Sequence, residues 1–352
     1  MTSINASEPR IASLSVVLQS ALAFSNSKGE GSRVLRSLTA PKPTPLTHWL
    51  PESEHIPVWI PQRQRDGVIR IMAVLSQPKY YPTLIEHLCQ QINQTTTIEW
   101  RKRSYCLTGI EVDSHDLHLL QIPIFAAQPL PTNLGRAIHA LCFHWLSLAD
   151  ATLAEQLHQQ NTLPLSIAIQ TISPKQVYLR IGLLQKELLS PLLWGISQDL
   201  GREIRLADIP CHLGQWIELL QTNSFETLSQ LRPLKAIELQ FISPTSFKQG
   251  QRIQPFPLPE LVFGNLLRRW NTFAPVAFHF PQLKWQGLTC AYDLKTQVLH
   301  LKREVEIGTT GWIRYEFHDS EQAKIATILA HFACFTGVGR KTGMGMGQVC
   351  IC

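Results

Sequence analysis

The chain has 352 residues, long enough for two or three domains, and its hydrophobic content of 44% against 16% charged residues supports a real core. A net charge of +6 and a pI near 8.9 permit a polyanionic partner, although most of these cations should be ordinary solvated surface. No run approaches the about 20 apolar residues of a membrane span, which argues against a helical membrane anchor. The 8 cysteines are scattered, with no CxxC pair, and Cys350-x-Cys352 has the wrong spacing for a zinc knuckle. That usage fits a reducing cytoplasm in which thiols act as small core residues.

Residues 1–38 read as a weakly structured or helical leader. Within it, Ile11 to Phe24 is apolar and Ala21-Leu22-Ala23 has the small-x-small pattern of a cleavage site, but Ser13, Ser15, Gln19 and Ser20 interrupt the apolar stretch. Residues 39–62 are proline-rich and predict an extended linker. Gly67 to Leu75 then reads as a strand, Pro82 to Ile92 as a helix, and Thr96 to Trp100 and Tyr105 to Val112 as strands, together an incomplete α/β unit. Residues 1–115 thus form an N-terminal extension to which no chemistry attaches.

From Leu117 the order becomes regular. Leu117 to Phe125 is a strand and Leu134 to Leu148 a helix, with Ala137, Leu141, His144, Trp145 and Leu148 on the expected core face. Thr152 to Gln159 is a short second helix, Leu165 to Gln170 and Gln176 to Leu184 are strands, and Glu187 to Leu200 is a helix ending at Gly201. A closing strand is expected near Ile204 to Ala207 or later. A second round follows: strand Ala236 to Ile242, helix Leu258 to Trp270, strand Gly287 to Tyr292, a hairpin pair at Val298 to Lys302 and Gly311 to Phe317, and a helix from Ser320 to Phe335. Strand-helix-strand-strand-helix-strand is the ferredoxin-like order. The predicted fold is therefore α+β, with tandem ferredoxin-like (RRM-like) domains at 116–230 and 231–352.

The last helix feeds Gly337-Val338-Gly339-Arg340-Lys341-Thr342-Gly343-Met344-Gly345-Met346-Gly347, in which glycines alternate with apolar residues around two cations. Glycine permits positive φ and close approach, and an Arg-Lys pair with bare N–H groups suits phosphates. A P-loop is excluded because the glycine before the lysine is missing and the helix comes first; a dinucleotide fingerprint fails at Thr342. A strand-like tail, Gln348 to Cys352, closes the chain.

Arg136 and His139 lie three residues apart on a predicted helix and share a face, and His158 ends the next short helix. Two imidazoles and a guanidinium suit RNA cleavage by the substrate's own 2′-hydroxyl: one His takes the hydroxyl proton, another group protonates the leaving 5′-oxygen, and a cation stabilises the phosphorane, with no metal required. The competing reading makes His139 a half-buried structural residue and Arg136 a solvent-facing one. His144 reads as structural, on the core side. There is no HExxH, no Cys/His cluster at ligand spacing and no GxSxG elbow.

Three stretches together resemble the CRISPR-associated repeat-processing endoribonucleases of the RAMP superfamily: Leu134 to Leu141 followed by Leu153 to His158, Phe241-Ile242-Ser243-Pro244-Thr245-Ser246-Phe247, and the glycine loop. The resemblance runs from about Leu117 to the C-terminus. It implies tandem ferredoxin-like domains and metal-independent cutting of precursor CRISPR RNA within each repeat, leaving 2′,3′-cyclic phosphate and 5′-hydroxyl ends. It implies CRISPR repeat RNA as the partner, and a CRISPR effector complex beyond it. The family's catalytic histidine corresponds to His158, with His139 and Arg136 at further active-site positions. The tyrosine and lysine of some relatives fall at Phe143 and Pro164, so a His/His/Arg site is implied and the general acid stays open. The glycine loop (Gly337, Gly339, Gly343, Gly345 and Gly347) would pack beside the RNA with Arg340 and Lys341 on phosphates, and Arg252, Arg268, Arg269, Lys302 and Arg303 are further expected contacts. A non-catalytic RAMP-type RNA-binding subunit is the alternative, since the glycine loop speaks only to binding.

Overall fold

The computed structural model describes residues 11–20, 44–45, 57–62, 68–94, 96–100, 102–301 and 304–352. Its first sheet contains β1 (Ser13–Ser20), β2 (Thr44–Pro45), β3 (Val58–Pro61) and β4 (Ile69–Val74), then helix α1 (Tyr81–Asn93), β5 (Thr97–Trp100) and β6 (Arg103–Asp113), in the order β2-β5-β6-β1-β4-β3. Of the stretch expected to be a weakly structured or helical leader, Ser13–Ser20 is instead a central strand: β1 pairs antiparallel with both β4 and β6. The serines that seemed to interrupt an apolar run belong to a period-two alternation, in which Leu14, Val16 and Leu18 join Tyr81, Leu84 and Leu88 of α1 in one core. The end of the proline-rich stretch is likewise a strand and not a linker. β3 lies at the sheet edge, where Pro61 removes no ladder bond that a neighbouring strand needs. The block is a sheet whose order β6-β1-β4-β3 is antiparallel throughout and matches that of the two sheets that follow, with β2 added in parallel beside β5.

The first tandem unit comprises β7 (Leu117–Ala126), α2 (Gly135–Ala149), α3 (Ala151–His158), β8 (Leu165–Ser173), β9 (Gln176–Leu183), α4 (Leu189–Asp199), β10 (Glu203–Leu206), β11 (Ile209–Leu213), β12 (Glu218–Asn223) and the short α5 (Phe225–Ser229). Its central order β11-β7-β9-β8 is ferredoxin-like, with β10 added outside β11 and β12 pairing the start of β7. Helices α2 and α4 cover one face. They cross closely because Gly195 faces the Trp145 carbonyl, 1.9 Å from where a Cβ would stand. The buried face of α2 is Ile138, Cys142, Phe143, Trp145 and Leu146, whereas His144 is exposed and Leu148 is 40% exposed. The expected face was thus rotated by about one residue, and the structural role read for His144 does not hold. Ile60, Met72 and Val74 of the N-terminal sheet join this unit's core beside Leu189, Leu192 and Leu193, so the two share apolar packing.

The second unit comprises β13 (Ala236–Thr245), the small hairpin β14 (Phe247–Gln249) and β15 (Arg252–Gln254), α6 (Pro259–Phe273), β16 (Leu288–Leu301), β17 (Glu304–Glu316), α7 (Ser320–Thr336) and β18 (Val349–Ile351). The order β18-β13-β17-β16 repeats the ferredoxin-like pattern. What read as separate strands at Gly287 and Val298 is one continuous strand, because the polar stretch between them pairs residue by residue with β17. Phe263, Leu266 and Trp270 of α6 pack with Ile328, Leu329 and Phe332 of α7 in the core. The units meet where the C-terminal turn of α7 abuts β9: a Cβ on Gly182 would lie 1.9 Å from the Phe335 carbonyl, which also accepts from Ser166 Oγ at 2.6 Å. Among the described residues no helix is long and apolar enough to cross a membrane.

Candidate active site

Helix α2 starts against the glycine loop. A Cβ on Gly135 would stand 2.0 Å from the Met344 carbonyl, so only glycine lets the helix and loop approach this closely. At its other end Asp150 both terminates α2 and caps α3, its carboxylate accepting from Leu153 N at 3.0 Å. That one-residue joint folds α3 back along α2 and returns His158 to the level of His139. The rings of His139 and His158 lie 5.9 Å apart between centroids with planes 18° from parallel. Phe143, one turn after His139 on α2, packs against both, at 4.6 Å from His139 and 4.4 Å from His158. Phe143, at the position where some relatives are expected to carry a tyrosine, is the apolar wall that seats both imidazoles.

His139 is half-buried and His158 is exposed. His139 Nδ1 lies 2.9 Å from the Gly343 carbonyl oxygen. A carbonyl only accepts, so Nδ1 carries the proton and Nε2 of the neutral ring keeps its lone pair. Burial pushes the His139 imidazole below its ordinary pKa; the Gly343 carbonyl opposes this and the nearby His158 adds to it. His139 is therefore held neutral near pH 7 in a single tautomer, the state a proton acceptor requires. Arg136 is exposed one turn earlier on α2, and its side chain has no partner among the described residues.

The glycine loop itself differs from expectation. Gly337, Gly339, Gly345 and Gly347 have φ of 66°, 83°, 89° and 74°, which explains why glycine recurs there. Its N–H groups are largely consumed within the protein: Gly339 N–H donates to Asn265 Oδ1 at 2.9 Å, Arg340 N–H to Ser246 O at 2.9 Å and Gly347 N–H to Pro244 O at 3.0 Å. Gly337, Gly343 and Gly347 are buried. The loop is a wedge between the units rather than an open cradle, because the Phe241 to Phe247 segment supplies carbonyls that take up its donors. Both cations close on one carboxylate, with Arg340 Nη1 at 2.8 Å from Glu306 Oε2 and Lys341 Nζ at 2.6 Å from Glu306 Oε1. Burial alone would raise the Glu306 carboxyl; Lys341 and Arg340 outweigh it and hold it below the usual range. No sequence signal distinguishes Glu306 from Glu304, the other acid at the start of the same strand.

The outlying cations separate. Arg252 and Arg268 are exposed, as expected for phosphate contacts. Arg269 is 8% exposed; its Nε donates to Thr336 Oγ1 and its Nη2 to the Leu163 carbonyl at 3.2 Å, and burial pushes its pKa down to about 10 with Arg268 contributing. It ties α6 to the end of α7 and to the loop after α3, so it is not a free RNA contact. On a helix its neighbour Arg268 faces outward while it faces in. Lys302 and Arg303 lie outside the described residues. A cavity of about 220 Å³ lies between Thr132, Gly135, Thr171, Pro244, Leu299 and Met344.

Residues 239–349 match the family model of the CRISPR-associated endoribonuclease Cas6. No curated protein sequence matches the chain. Among solved structures, the Cas6 (TTHB231) product complex is 23% identical with a TM-score of 0.60, over 68% of this chain and 100% of that one. The Cas6 (TTHA0078) product complex is 23% identical with a TM-score of 0.57, over 67% and 98%. Thermus thermophilus Cas6 (TTHB231) is 22% identical with a TM-score of 0.54, over 68% and 100%. At these identities the structural likeness concerns the fold, which is the tandem ferredoxin-like fold derived above. In the sequence of residues 239–349, and in the fold of about two thirds of its length, the chain resembles Cas6 proteins.

Proposed function

We propose that this protein is a cytoplasmic endoribonuclease that cuts precursor CRISPR RNA within its repeats, without a metal ion in the reaction. One observation carries the reading: two nearly parallel imidazoles 5.9 Å apart, with Nδ1 of one fixed on the Gly343 carbonyl. His139 Nε2 accepts the proton of the substrate 2′-hydroxyl. The 2′-oxygen attacks phosphorus and the P–O5′ bond breaks, leaving a 2′,3′-cyclic phosphate. His158, exposed at the end of α3, donates a proton to the departing 5′-oxygen, which leaves as a hydroxyl. Arg136 stabilises charge on the phosphorane oxygens. CRISPR repeat RNA is the partner, and a CRISPR effector complex takes the product.

The test is incubation of the purified protein with labelled CRISPR repeat RNA in EDTA, with the products mapped at both ends. A single cut leaving a cyclic phosphate and a 5′-hydroxyl is expected. Tight binding with no cut overturns the enzyme reading and leaves an RNA-binding subunit.

A further inference from the structure

Glu306 lies on β17, its side chain 7% exposed, between Val305 and Ile307. A carboxylate so placed is costly unless its charge is met. It is met twice, by consecutive residues of the glycine loop, at 2.8 Å from Arg340 and 2.6 Å from Lys341. Lys341 has φ of 54°, a left-handed conformation that a side chain disfavours. Its carbonyl accepts from Met344 N–H at 2.8 Å and Met346 N–H at 3.3 Å, closing the turn Thr342–Met344. The middle residue of that turn is Gly343, whose carbonyl holds His139 Nδ1. A continuous path of contacts therefore leads from a hairpin carboxylate, through the Lys341 ammonium and its unfavourable backbone, to the tautomer of the proposed base.

We infer that Glu306 is a positioning residue of this site: it clamps the glycine loop in the turn that orients His139, and it masks one of the loop's two positive charges. The inference rests on the nuclease reading for its kinetic consequence, but not for its structural one. It makes an unusual pair of effects. Glu306→Gln removes the negative charge and keeps the side-chain length, so the loop gains cationic character while its turn loses its clamp. RNA binding tightens as cleavage slows. A residue that merely props the fold would weaken both.

Three measurements on the full chain decide it: RNA affinity against salt, single-turnover cleavage at saturating protein, and the His139 tautomer from ring ¹⁵N shifts. For Glu306→Gln we expect binding tighter by several-fold at low salt, a salt slope steeper by about 0.7 to 0.9, and cleavage slower on the order of ten- to a hundredfold. The His139 signals should move from one Nδ1–H tautomer to a mixture. Lys341→Met removes the other half of the clamp and should give the same tautomer mixture and slowing, but with weaker binding; it also serves if Glu306→Gln does not fold. An unchanged tautomer in both variants overturns the inference, as does parallel loss of binding and cleavage in Glu306→Gln. If the wild-type protein cuts no repeat RNA, the nuclease reading fails, and the tautomer measurement still decides whether Glu306 orients His139.

Discussion

Helix α2 of the first tandem unit and α6 of the second are each 15 residues long and occupy the same place in the same strand order. Their polar groups have opposite fates. On α2, Arg136 is exposed and His139 only half-buried; among the described residues α3 and the glycine loop lie over that end. On α6, Arg269 is drawn inward onto Thr336 and Leu163 O, while the segment after the helix folds over its end through Trp270 Nε1 to Phe278 O and Asn271 Nδ2 to Phe280 O. One topology thus yields a helix that carries the proposed active-site residues and a supporting one, and the difference is what covers the helix, not how the strands are ordered. The supporting unit then reaches across: the Gly343 carbonyl, on the loop after α7, holds a residue of the first unit.

The sharpest way to break this division is His158→Ala. If the first unit carries the chemistry, cleavage should fall by about 10² to 10⁴-fold, and RNA affinity should stay nearly unchanged because an exposed imidazole is a small part of a phosphate-dominated interface. Single-turnover rates beside filter binding give both numbers. Retained cutting would take His158 out of the mechanism and leave the pair of imidazoles without a role.

On the supporting side the corresponding substitution is Arg269→Ala. It leaves a buried hydroxyl and a carbonyl without their donor, at a cost of about 1–3 kcal/mol in stability. Chemical denaturation measures that cost. Cleavage per folded molecule and the salt dependence of binding should not change. If the stability holds and the salt slope drops, Arg269 reaches RNA after all and the contrast between the two helices collapses.

The pH profile sharpens the comparison further. The His139 imidazole is held below its ordinary value of 6.5, mainly by burial. A base works when neutral, so the acid limb of the activity profile follows this lowered pKa. The rate at pH 6.5 should already exceed half of its plateau. An acid limb centred above 6.5 would mean that His139 is not the base. The same group bears on stability with the opposite dependence from a salt-bridged histidine: the folded state binds this proton less readily than the unfolded chain. The stability linked to His139 is present above 6.5 and declines as pH falls from there toward the folded value.

Much of this arrangement could be read from sequence and some of it could not, for definite reasons. Alternation and helical period located most strands and helices of both tandem units, because each element buries one face, but did not mark β11, β12, α5 or the hairpin β14–β15. The same signal misplaced the face of α2, since Ile138, Leu141, Cys142, Phe143, Trp145 and Leu146 leave that helix apolar over more than half its girth. It took β1 for a leader because serine can alternate with leucine inside a strand whose both faces are covered. The proximity of His139 and His158 needed only local turn chemistry at Asp150. Glu306 and Arg269 owe their roles to partners 35 and 67 residues away, Lys341 and Thr336, and no local pattern announces such pairings.

The smallest expected effect concerns charge. Arg340, Lys341 and Glu306 together carry one net positive charge, while Arg136 carries one with no carboxylate beside it among the described residues. Arg340→Ala brings the loop to zero, so the slope of log affinity against log salt should decrease in magnitude by about 0.7 to 0.9. Adding Glu306→Gln to it returns the loop to one positive charge and should restore the slope. Arg136→Ala should lower the slope by the same amount, and Glu306→Gln added there should leave a net charge equal to wild type but displaced toward the second unit, with the cleavage defect uncorrected. Should Arg340→Ala/Glu306→Gln keep the reduced slope, the Arg340 guanidinium itself meets a phosphate, and the second unit contributes a direct contact rather than a field.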